Sequence, residues 1–94
     1  MTDTIQRPFS AEQQQWYEQA CARLNPERLK QLLFAITDIH SPTGAARAAS
    51  EFMAGHLSEA GLKARYQPMT DTSGNVLAEY RGSGGGAALM LYAP

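Results

Sequence analysis

Two histidines and one cysteine are the first side chains to test for chemistry in this sequence. His40 stands directly before Ser41-Pro42-Thr43-Gly44. A proton-transfer histidine needs an orienting partner, and the simpler role at a helix C-terminus is that of dipole partner or cap. His56 falls beside Phe52 and Ala60 at helical spacing, on the border of an apolar face, and reads as a boundary residue. The two are too far apart for a local His-x-x-x-His metal motif, and no carboxylate joins either at ligand spacing. Cys21 shares an apolar stripe with Trp16 and Leu24, which predicts a buried structural thiol rather than an activated one. Gly82-Ser83-Gly84-Gly85-Gly86 has the glycine content of a phosphate loop. It lacks the Gly-Lys-Ser/Thr ending and no helix follows it, so a hairpin connection is the better reading. Asp71 with Ser73 is turn chemistry, and Asp38 and Glu51 read as solvated faces or a cap. No catalytic, cofactor-binding or metal-ligating residue is assigned from these patterns.

The bulk properties narrow the function classes. The 94 residues make one domain at most, and their 44% hydrophobic content argues against disorder throughout. The net charge is -1 with acids and bases interspersed. No basic stripe offers a nucleic-acid surface. One cysteine excludes an internal disulfide framework and fits a reducing cytoplasm. Met1 to Arg7 has no apolar centre of the kind a signal peptide needs, and no apolar run reaches the roughly 20 residues of a membrane span. The expected localisation is cytoplasmic.

The elements that must position these residues follow from caps and periodicity. Residues 1–9 read as a flexible arm. Ser10 with Gln13 forms a capping-box pattern, and Trp16, Tyr17, Ala20, Cys21 and Leu24 continue at helical spacing, giving a helix from about Ala11 to Arg23. Asn25-Pro26-Glu27 starts a second helix with a cap, a proline at the first position and an acid in the first turn. Its stripe is Leu29, Leu32, Leu33 and Ile36, extended by Ile39, and Pro42 ends it by disfavouring helical geometry at Ser41. Ser41 or Thr43 is the expected cap of a third helix with an apolar face of Ala49, Phe52, Met53, Leu57 and Ala60, and Gly61 is its expected stop.

Strands follow. Leu62, Ala64 and Tyr66 alternate with Lys63, Arg65 and Gln67, and Pro68 ends the strand or marks an edge. Thr70 to Asn75 is turn chemistry. Val76 to Arg81 is the second strand. Ala87 to Tyr92 is continuously apolar, as in a strand covered on both faces, and is expected to pair with the second strand as an antiparallel hairpin through the glycines. The expected fold class is α/β: three N-terminal helices followed by three strands of a mixed sheet, over residues 10–94. Too few elements are present to cover the last strand. The expectation is therefore an incomplete piece of a larger catalytic-domain fold, or a small domain that completes its core by association.

The order of these elements resembles a known family. Ser41-Pro42-Thr43-Gly44, the helix through Glu51-Phe52-Met53 to Glu59-Ala60-Gly61-Leu62, then Gly74-Asn75-Val76-Leu77-Ala78, then Leu89-Met90-Leu91 look like the start of the dizinc amide hydrolases. That family includes aminoacylase, acetylornithine deacetylase, succinyl-diaminopimelate desuccinylase and several bacterial carboxypeptidases. The resemblance spans residues 26–94. In the family the last strand runs into Gly-His-x-Asp, whose histidine ligates zinc. Aligned without gaps, Ala93 falls on that glycine and Pro94 on that histidine, and proline has no side-chain donor. Either the ligand is displaced beyond Pro94 or the parent protein has altered metal binding.

The resemblance implies a parent enzyme that uses zinc to hydrolyse an amide bond of a small N-acyl amino acid or peptide. These residues would then serve as scaffold and be inactive alone. The rival is a small non-catalytic interaction module that self-associates through its exposed strand edge. The kinship depends on Ala87 to Tyr92 being an interior sheet element, and a helix there, or a segment with no sheet partner, counts against it.

Overall fold

The computed structural model describes residues 8–94 and divides into two compact units, one ending at Phe34 and the other beginning at Ala35. Three helices, α1 (Ala11–Ala22), α2 (Pro26–Thr37) and α3 (Arg47–Glu59), precede two strands, β1 (Lys63–Pro68) and β2 (Gly74–Glu79). The mixed α/β composition matches expectation. Of the expected arm, residues 1–7 lie outside the described residues. Phe9 sets its ring against Tyr17, with centroids 5.7 Å apart.

The first unit contains α1 and most of α2. Both helices start as their sequences dictate. The Gln13 amide donates to Ser10 Oγ at 3.1 Å, and the Ser10 amide donates to Gln13 Oε1 at 3.0 Å, which completes the capping box. The Arg28 amide donates to Asn25 Oδ1 at 3.1 Å, so Asn25 caps α2 as expected. Neither helix contains a buried residue. Helix α2 stops two residues short of the expected Ile39, whose amide bonds Ile36 O in a final turn.

The second unit is α3 packed on the β1–β2 hairpin. The strands pair antiparallel from Lys63 opposite Glu79 to Pro68 opposite Gly74. The Met69 and Thr70 amides both donate to Ser73 O, which closes the turn. Alternation in β1 is as expected as far as Tyr66, with Ala64 and Tyr66 half-buried and Lys63 and Arg65 exposed, and it breaks at Gln67, which is half-buried rather than exposed. Helix α3 lays Phe52, Met53 and Leu57 toward the core, and its one buried residue is Ala54. Gly61 stops α3 through a two-bond motif. Its φ is +96°, its amide bonds Ser58 O, and the Leu62 amide bonds Leu57 O. Ala60 is exposed and leaves the expected apolar face.

Two expectations are corrected here. Neither Ser41 nor Thr43 caps α3. A turn closed by the Ala45 amide on Pro42 O, with Gly44 at φ +81°, separates the corner from the helix, so the residue at the cap position is Ala46. Nor do the described residues show the third strand: they form a sheet of two strands, and the hairpin joins β1 to β2 rather than β2 to the terminal segment. Leu89, Met90, Leu91 and Tyr92 are 84%, 85%, 87% and 80% exposed. The physical reason lies in what surrounds the segment. A single helix covers a single face of two strands, which leaves a doubly apolar segment no layer for its second face, and a five-residue glycine-rich connection specifies no tight turn.

Candidate functional site

Among the described residues, distant parts of the sequence converge on polar groups at the junction of the Ser-Pro-Thr-Gly corner, the start of α3 and the β1–β2 turn. Helix α3 begins after Ala45-Ala46, which have no side-chain acceptor for its free amides. The acceptor comes from the turn: the Arg47 amide donates to Thr72 O at 3.1 Å. Thr72 also ties the corner, its hydroxyl donating to Gly44 O at 2.6 Å.

The Arg47 side chain continues the link. Its Nη1 donates to Asp71 O at 3.2 Å, and its Nε pairs with Glu51 Oε1 at 2.8 Å, one helical turn away. The Glu51 hydrogen bond, then its charge, hold the guanidinium above its ordinary pKa. The pair is half exposed on both sides, a setting in which such ion pairs contribute little. The Arg47 guanidinium also lies 5.7 Å from the Tyr66 ring centroid.

Beneath this junction the packing is close. The Ser50 hydroxyl donates to Gly74 O at 3.3 Å, fixing α3 to the first residue of β2. Gly74 has no room for a side chain: a Cβ there would overlap Gln67 O and come within 2.6 Å of the Tyr66 ring and hydroxyl. The Tyr66 hydroxyl oxygen is buried and has no hydrogen-bond partner among the described residues. An orphan of this kind costs about 1–3 kcal/mol.

The polar groups named here, the Tyr66 hydroxyl apart, either tie the corner and α3 to the hairpin or pair along α3. The arrangement is a brace. It presents no nucleophile with a base beside it.

The residues singled out from sequence lie apart from this junction or serve it structurally. His40 is exposed. His56 is half-buried and stacks on Phe52, with centroids 6.4 Å apart and planes at 18°, as a boundary residue would. Glu51 joins the brace, and Asp71 contributes its carbonyl. Gly84 and Gly85 take φ of +92° and +81° in a connection that follows β2 and leads into no further strand or helix among the described residues. Cys21 is corrected: it is exposed, not buried. It neighbours Tyr17 on α1, and the hydrogen bond between them, then the thiolate charge, raise the Tyr17 phenol above its usual pKa. A shallow depression of about 260 Å³ is lined by Lys63, Glu79 and Arg81.

The zinc implied by the resemblance does not fit on these residues. The described residues contain no group of three or more His, Cys, Asp or Glu placed to hold a metal ion, and Pro94 supplies no donor. Among the described residues no helix is long and apolar enough to cross a membrane.

Sequence reasoning missed Arg47 and Thr72. The signal was available in Ala45-Ala46: a helix that opens without a local cap has to find its acceptor elsewhere. Comparison with protein-family models, with curated proteins and with solved structures found no match for this chain.

Proposed function

We propose that these residues are the N-terminal scaffold of a metal-dependent amide-bond hydrolase of the peptidase or deacylase type, and carry none of its catalytic groups. The support is the order of Ser41-Pro42-Thr43-Gly44, the helix ending in Gly61-Leu62, and Gly74-Asn75-Val76-Leu77-Ala78. One structural observation carries it furthest. The corner and the helix are both tied to the segment that opens the last motif, Gly44 O accepting from Thr72 in the turn before it and Gly74 O accepting from Ser50 of the helix. In this reading the metal, the catalytic groups and the small N-acyl amino acid or peptide substrate are held by other residues, in a cytoplasmic enzyme.

The unpaired Ala87–Tyr92 segment counts against the reading, because the kinship requires an interior strand there. That exposed segment favours the second reading, a non-catalytic module that buries it by self-association. Zinc analysis and amide-hydrolysis assays of the full-length natural protein, with sedimentation of the 94-residue chain, separate the two. Bound zinc and hydrolysis support the scaffold. Neither zinc nor hydrolysis, together with concentration-dependent association of the chain, defeats the scaffold and supports the module.

A further inference from the structure

We draw no further inference here: the strongest candidate, the exposed apolar segment Ala87–Tyr92 beyond the glycine run, already underlies the association reading, and nothing in the structure shows what covers it.

Discussion

The two units of this chain are ordered by different kinds of interaction. In the first, the caps act within three residues of sequence: Ser10 with Gln13, Asn25 with Arg28. In the second, the bonds that matter span 24 to 28 residues, from Arg47 to Asp71, Ser50 to Gly74 and Thr72 to Gly44. Local caps define where a helix begins but bury no surface. Tertiary bonds are worth forming only when the backbone is already brought close, as it is where α3 covers the hairpin. The first unit therefore keeps Trp16, Tyr17, Leu29, Leu33 and Phe34 more than half exposed, whereas α3 has Phe52, Met53, Ala54 and Leu57 at least half covered. A helix without a packed face is marginal at about 12 residues in water, so the second unit is the more stable of the two.

The hardest test of this contrast is Gly74→Ala. The new methyl overlaps Gln67 O and the Tyr66 ring, and the backbone partner cannot rotate away. The expected loss is about 3 kcal/mol, the upper end of overpacking costs. Hydrogen exchange reads it as lost protection of the β1 and β2 amides, and unchanged protection there would break the account of the junction.

Thr72→Val tests the brace itself. It removes the 2.6 Å bond to Gly44 O at nearly constant volume, with an expected cost of about 1 kcal/mol. The drop should appear in the denaturation midpoint of the second unit and in faster exchange at the start of α3. Helicity of α1 should not change.

Ser10→Ala is the mirror experiment. It removes the capping box at an expected cost of about 1 kcal/mol or less to α1. Circular dichroism should show reduced helicity, while exchange in β1 and β2 stays as it was. Loss of protection in the hairpin would show that the units are not independently ordered.

The smallest effect concerns the Tyr17–Cys21 neighbours. With Cys21→Ala the Tyr17 phenol loses both its hydrogen bond and the thiolate charge that raise its pKa, so it should ionise at lower pH in an ultraviolet titration. The sign for stability follows. A raised folded pKa favours the neutral phenol, so the stabilisation is fully present below the ordinary value of 10.0 and is lost as pH rises through the folded pKa above it. An unmoved titration would show that the thiol does not reach the phenol.

The sequence was most readable where one residue's chemistry decides the geometry. Ser10, Asn25 and Gly61 each announce a cap, and each is found in that role. The alternation in β1 is equally plain as far as Tyr66. The site was far less legible. The brace runs through backbone carbonyls of Gly44, Asp71, Thr72 and Gly74, and carbonyls have no sequence signature. The expected α3 face holds at Ala49, Phe52, Met53 and Leu57 and fails at Ala60, and it leaves out Ser50 and Ala54, because these are small or polar and contribute little to an apolar stripe. Ala54 is central because a small side chain admits the hairpin closely. The terminal segment was misjudged for a different reason. Apolar content shows what a strand requires, and whether the requirement is met depends on neighbours that a local pattern does not contain.

The glycine run after β2 has a bearing on how that segment can ever be ordered. A Gly/Ser connection of this length spans about 12 Å on a root-mean-square basis, more than twice the roughly 4.8 Å between neighbouring strands. A leash that loose selects neither an edge nor an alignment for Ala87–Tyr92, so pairing direction and residue-to-residue alignment have to be dictated by whatever surface receives it.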